Sequence, residues 1–461
     1  MRRQEMKPTL HRLAAVPIVL AAVLVLPSLA GAHSLIEGLT GTNFGLTVKA
    51  DYVTTGDGLN MYFWGCATSP AARPQYPCPT LIVNQGDTIT VTVTNGLSGA
   101  GAPNVSLVFP GQAATAAEAL APTSAGLLTL DATPGGAVSY TLTASNAGTY
   151  MYHSGTRPDL QIEMGIFGAL IVRPYGYDPM AGRAYNHADS AYDHEYLFVL
   201  SEMDPRIHQA LEFGIAAGIA QVETSGWLAD YFPGYWFVNG RNAPDTMLMP
   251  GVPQLPTQPY GAMVRMTPGD KLLMRVIGAG RDMHPFHHHG NHAKVIARAG
   301  RLLESTPGAG ADLAYDVFTV QSVPGETVDA IFTWTGKNMG WDIYGTGSEY
   351  PHTCNGIAVT AANPSSPGYD PVTKEWCPDH GKALPVVLPE KSDLTFGGFY
   401  SGSPFMGTLG ALPPGEGGLN PNAGFTFMWH SHTEKEMTNY DIFPGGMMTM
   451  LVVEPPGTPI P

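Results

Sequence analysis

A chain of 461 residues, 44% of them hydrophobic, carries enough apolar surface for two or three packed domains, which excludes a disordered protein. A formal charge of -15 argues against nucleic acid and anionic membranes as partners. With 55 glycines and 41 prolines, the chain suits many short strands joined by turns better than long helices.

Residues 1–32 read as an export signal: Arg2, Arg3, Lys7 and Arg12, an apolar run from Leu13 to Leu26, then Ala30-Gly31-Ala32 as a small-residue cleavage site. Cleavage would leave a net charge of -18 and no membrane span, so the expected location is periplasmic or secreted. Four cysteines in an exported chain suggest two disulfides, and the pairs adjacent in sequence, Cys66 with Cys78 and Cys354 with Cys377, are the preferred connectivity.

The first strands are expected over Phe44 to Val53 and Leu59 to Trp64. Thr88 to Asn95 alternates strictly, with β-branched residues throughout, and predicts a half-buried strand. Ala137 to Thr143, Gly148 to His153 and Ile166 to Arg173 complete an all-β unit. Gly269-Asp270 followed by Lys271 to Ile277 echoes Gly86-Asp87 followed by Thr88 to Thr94. Tyr152-His153-Ser154 is likewise echoed by Trp429-His430-Ser431. Such paired self-similarity predicts a duplication. The domains are expected at 33–175 and 196–461, with a linker at 176–195 and a long Pro/Gly-rich insertion near 337–424. One helix is expected over Pro205 to Ile219, with Asp204 as its N-cap.

Seven of the 15 histidines fall in two short windows, His284-Pro285-Phe286-His287-His288-His289-Gly290-Asn291-His292 and His430-Ser431-His432. In a strand alternate side chains share a face, so His287 and His289 would face one way, as would His430 and His432. Four neutral imidazoles without a nearby thiolate favour copper or zinc over calcium or magnesium. His288 should face the other way, and His292 lies beyond the cluster. The bland reading is a hydrogen-bonded relic that holds no metal.

Pro77-Cys78-Pro79-Thr80-Leu81 with Gly86-Asp87, Asn239-Gly240-Arg241-Asn242-Ala243-Pro244, the His284 to Gly290 motif and His430-Ser431-His432 together resemble the multicopper oxidases. The resemblance covers nearly all of the mature chain. It implies two tandem cupredoxin-like Greek-key β-sandwich domains, as in the small two-domain members, and copper as cofactor. It places His284 at the type 1 copper position, His287 at type 2, and His289, His430 and His432 at type 3 positions. Ser431 stands where the type 1 cysteine is expected and Glu436 where its second histidine is expected. A serine hydroxyl neither binds copper tightly nor relays an electron, so no type 1 copper is expected and His284 should bond a carboxylate or backbone group.

In the first domain the family's His-x-His-Gly corresponds to Leu107-Val108-Phe109-Pro110-Gly111, and one further histidine survives, His153, followed by Ser154. In two-domain relatives the cluster lies between subunits of a ring of three. The resemblance therefore implies a homo-oligomer, a trimer, in which His153 completes the site from a neighbouring subunit.

Two functions follow from these readings. One is an exported copper-binding oxidoreductase that uses the reduced cluster with O2 or a small reductant; the other is a non-catalytic envelope scaffold that has lost copper. Met437, Met447, Met448 and Met450 read as core packing rather than thioether ligands. Cys354, close to His352, is an alternative copper thiolate, and His33 an alternative amino-terminal copper brace. His187, His194, His208 and His380 carry no pattern and read as surface residues.

Overall fold

The computed structural model describes residues 36–267, 269–334, 403–404, 425–454 and 458–460. The export signal, His33, His352, His380, the Cys354/Cys377 pair and nearly all of the 337–424 insertion lie outside the described residues.

Alternating apolar residues build two β-sandwiches. In the first, one sheet orders Leu39–Thr40, Cys78–Asn84, Phe167–Arg173, Gly148–Ser154 and Leu107–Val108. The facing sheet orders Asn60–Ala67, Asn43–Thr54, Thr88–Asn95, Ala137–Thr143 and Ala114–Leu120. Thr88–Asn95 shows why the alternation matters: Ile89, Val91 and Val93 are buried in the core while the threonines between them are more exposed. Cys66 and Cys78 form the expected disulfide, tying the end of one strand to the start of the next.

The second sandwich repeats the plan. One sheet runs Tyr235–Val238, His194–Met203, Lys271–Gly278, Thr327–Thr333 and Ala293–Arg298. The other runs Val264–Met266, Met448–Val453, Phe425–Ser431, His284–His288 and Thr319–Ser322. The duplication is visible in register: His153 pairs with Phe167 and His430 with Met448, each on an antiparallel strand pair. Each returning strand also pairs in parallel with an earlier one, Phe167–Arg173 with Cys78–Asn84 and Met448–Val453 with Val264–Met266.

The outer face of a first-domain sheet packs on a second-domain sheet through Tyr76, Met151, Phe167, Phe237 and Ile277. A buried ionic network also crosses between the sandwiches. Arg173 and Arg275 both engage Glu195, Arg275 donates to Thr149, and Thr149 and Tyr185 donate to Asp329 at 2.6 Å. This leaves the far sheet of the second sandwich, the one bearing the histidine windows, with its outer face turned away from the first sandwich's core.

The expected single helix is two. Asp204 caps the first, Pro205–Glu212, by accepting from the Arg206 N–H at 3.0 Å. Gly214, at φ 140°, then breaks the chain before Ile215–Ser225, a backbone angle that other residues rarely adopt. Among the described residues no helix is long and apolar enough to cross a membrane.

Candidate metal centre

His284–His288 and Phe425–Ser431 are antiparallel neighbours, with His287 directly opposite His430. Alternation divides their side chains. Phe286, His288, Trp429 and Ser431 face the core, whereas His287, His430 and the following His289 and His432 face outward. Of the four imidazoles expected to converge, three form one group, and His432 stands at its edge, 3.4 Å from Glu434. Ligand atoms of His287, His289 and His430 lie within 4.8 Å of one another. The His432 ring sits 5.0 Å from that of His287 and 5.5 Å from that of His430, centroid to centroid.

Backbone carbonyls set the tautomers. His430 Nδ1 donates to the Ser431 carbonyl at 2.7 Å, and His287 Nδ1 to the Phe318 carbonyl at 2.7 Å. A carbonyl only accepts, so the proton sits on Nδ1 and the Nε2 lone pair is left for a ligand. His430 Nε2 and His289 Nε2 are 3.2 Å apart. Two nitrogens bound about 2.0–2.1 Å from one tetrahedral ion would be separated by about 3.3 Å, so the spacing fits a shared metal as well as a hydrogen bond. Burial holds His430 down to about 4, with repulsion from the neighbouring imidazoles assisting, and burial also lowers His287. Neutral imidazole, the form that binds copper, is thus the resting form. The residues present fit copper: their donors are all imidazole nitrogen, and two of them are already oriented.

His284 belongs to a different site. It is fully buried on the core-facing side, its Nε2 is 2.8 Å from Glu202 and its Nδ1 is 2.8 Å from Glu436. Both ring nitrogens are taken by carboxylates, so in this arrangement neither is directed at the cluster. The expected carboxylate partner is there, twice over. Glu202 escaped the sequence reading; the signal was a glutamate inside the apolar strand that ends Ser201-Glu202-Met203. Its other oxygen accepts from the Arg281 and Asp282 N–H groups, and Gly280 leaves the room it needs, since a Cβ there would lie 1.8 Å from the carboxylate.

His153 stands in the first sandwich, outside the group formed by His287, His289 and His430. Its local geometry nonetheless copies His430. Nδ1 donates to the Ser154 carbonyl at 2.9 Å, and the buried Ser154 hydroxyl accepts from Thr156 N–H at 3.2 Å. Ser431 accepts from Thr433 N–H at the same distance. Leu107 and Phe109, where the resemblance expects imidazoles, are buried core residues.

His288 packs against Trp429 and Phe332 inside the sandwich, as alternation requires, and His292 is exposed beside Phe318. Two of the patternless histidines correct the surface reading. His208 is fully buried between the Tyr62 carbonyl and Glu163, and His194 is 8% exposed and pairs with Asp270 at 3.1 Å. Each lies within ion-pair distance of a carboxylate, which offsets part of the cost of burying the ring.

Residues 68–176, which include His153, match a family model for multicopper oxidase. Over 111 residues, 23% of this chain, the sequence is 37% identical to the iron transport multicopper oxidase FET3 of Saccharomyces cerevisiae. The matched stretch spans only 16% of that relative's length. Among solved structures, a multicopper oxidase called mgLAC shares the fold with a TM-score of 0.50 at 17% identity, over 92% of this chain and 88% of that one. A blue copper oxidase from Nitrosomonas europaea superimposes with a TM-score of 0.48 at 17% identity, over 90% and 86% of the two chains.

Proposed function

We propose that this chain is an exported copper protein of the multicopper oxidase kind, with oxidoreductase activity at a reduced histidine cluster. His287, His289, His430 and His432 hold the metal, and no type 1 copper is present. The observation that carries this reading is the convergence of three imidazoles within 4.8 Å with Nε2 left unprotonated on His287 and His430.

Copper held there would supply a Cu(II)/Cu(I) couple. The chain's own residues do the rest. The carbonyls of Phe318 and Ser431 fix two rings and keep their protons away from the metal side. Trp429, fully buried with its indole N–H donating to the His289 carbonyl at 3.0 Å, anchors the turn that carries His289. Because Glu202 and Glu436 occupy His284, the chain offers no relay at that position, and copper held by the cluster would take its electrons from a small reductant. O2 is the proposed acceptor, and phenol oxidation of the laccase kind is therefore slow.

His153 reaches the cluster of a neighbouring subunit, and the assembly is a trimer of chains divided at 33–175, 176–195 and 196–461. The repeated His-Ser geometry supports that role, since it leaves His153 Nε2 as free to bind as that of His430.

Elemental analysis with electron paramagnetic resonance tests the reading. The wild type should bind copper with a Cu(II) resonance that the His287→Ala/His430→Ala variant lacks. A copper-loaded wild type that retains no metal would overturn it. The second reading, a scaffold without catalysis, is favoured by one observation, the carboxylate clamp that fills the type 1 position. A protein that retains no copper and consumes no O2 with any small reductant would select it.

A further inference from the structure

The histidine face of the sheet carries a second set of donors. Met428 pairs directly with Met450, and the next pair on the same face of these strands is His430 with Met448. Cross-strand partners share a face, so these methionines continue the row of imidazoles. Met437 packs with them and Met247 lies at the rim, partly exposed; the one other member of this buried group is Ala243.

Core packing explains a methionine here or there, because the flexible thioether fills irregular gaps. It does not ask for five together. The large cores of the two sandwiches are built mainly from valine, leucine, isoleucine and aromatic residues. In this group apolar volume comes almost wholly from sulfur-bearing side chains. The four central residues are only 4–7% exposed, so the group is shielded from water.

Neutral, soft sulfur in a dry setting selects a soft monovalent cation and discriminates against Zn(II), Cu(II) and hard ions, which keep their water or seek charged ligands. We propose that Met428, Met437, Met448, Met450 and Met247 form a Cu(I) binding site adjoining the histidine cluster. The sulfur site stands on its own residues; its adjacency to a copper centre rests on the reading of the cluster given above. The two sites then match the two oxidation states of one metal, imidazole for Cu(II) and thioether for Cu(I).

The full chain can be titrated anaerobically with Cu(I) against a chromophoric Cu(I) chelator, and copper-edge X-ray absorption reads the ligands. Wild type should show sulfur scattering. The volume-conserving Met428→Leu/Met450→Leu variant should lose it and bind Cu(I) at least tenfold more weakly, with the Cu(II) resonance of the histidine cluster unchanged. Met247→Leu, at the partly exposed rim, perturbs packing least and should weaken Cu(I) in the same direction. In His287→Ala/His430→Ala, which removes the copper centre of the proposed function, sulfur-bound Cu(I) should persist. The inference is overturned by Cu(I) without sulfur neighbours in wild type, by unchanged affinity in both leucine variants, or by loss of sulfur scattering in the histidine variant.

Discussion

Nδ1 of His284 lies 2.8 Å from Oε2 of Glu436, and the opposite nitrogen of the same ring is equally close to Glu202. One imidazole thus joins three separated pieces of chain: the strand His194–Met203, the strand His284–His288 and the short turn of helix Glu434–Met437. The clamp is an ionic cross-link where the family resemblance expects a metal.

That cross-link gives stability a defined pH dependence. Burial pulls the His284 pKa down, but hydrogen bonds to Glu202 and Glu436 and their charges outweigh it and push it up to about 10. The unfolded value is about 6.5, so the stabilisation is complete below that pH and is lost as pH rises through about 10. Urea unfolding between about pH 6 and 10 should show the loss in wild type. Glu436→Gln should be less stable at pH 6 by about 1.5–3 kcal/mol, with a flatter profile across the same window.

Ser431 sits on the core-facing side, fully buried, opposite Phe286 and on the same face as His284. Replacing the oxygen with a thiolate and removing one clamp carboxylate should therefore open a soft site. The Ser431→Cys/Glu436→His variant is expected to gain an intense visible copper–thiolate absorption on copper addition, absent in wild type. Optical titration with Cu(II) checks this, and a colourless double variant that remains folded would count against the placement of these residues around one ion.

Copper retention should be less acid-sensitive than an exposed histidine site. His430 is held to about 4 by burial, so protons compete for it only well below the ordinary imidazole range. Bound copper measured after dialysis should vary little between about pH 8 and 6 and fall as the pH approaches about 4. Release centred at the ordinary imidazole value of about 6.5 would contradict the buried geometry.

Glu195 is fully buried and shared by Arg173 and Arg275. Glu195→Ala leaves two guanidinium groups in the interior with their main counter-charge gone, and Asp329 faces only Arg275. A loss of about 3–5 kcal/mol is expected, read as a fall in thermal midpoint, because breaking a buried pair strands the remaining charge. A surface pair such as Arg157–Asp159, in solvent, should cost less than about 1 kcal/mol when broken.

Much of this was legible in the chain itself. Strict alternation marked Thr88–Asn95 to the residue, because a strand with one buried face must repeat every second position. The same period set His287 and His289 on one face with His288 on the other, and His430 with His432, while the fold decided which face is outward. Asp204 before Pro205 announced a helix start, although Gly214 split what followed. Glu202 and His208 were not legible in this way. A carboxylate in an apolar strand or a solitary histidine shows no period, and only the approach of a partner distant in sequence explains its burial.

The sequence alone therefore determined the local periods: two all-β units, an internal repeat, and alternating imidazoles on two strands, since each depends on neighbours a few residues apart. Tertiary structure decided which distant groups meet. It joined His430 to His287 across a strand pair, gave His284 to Glu202 and Glu436 rather than to the cluster, and gathered methionines 247, 428, 437, 448 and 450 beside it. Such contacts are fixed by sheet register and sandwich packing, which couple residues through space and leave no periodic trace along the chain.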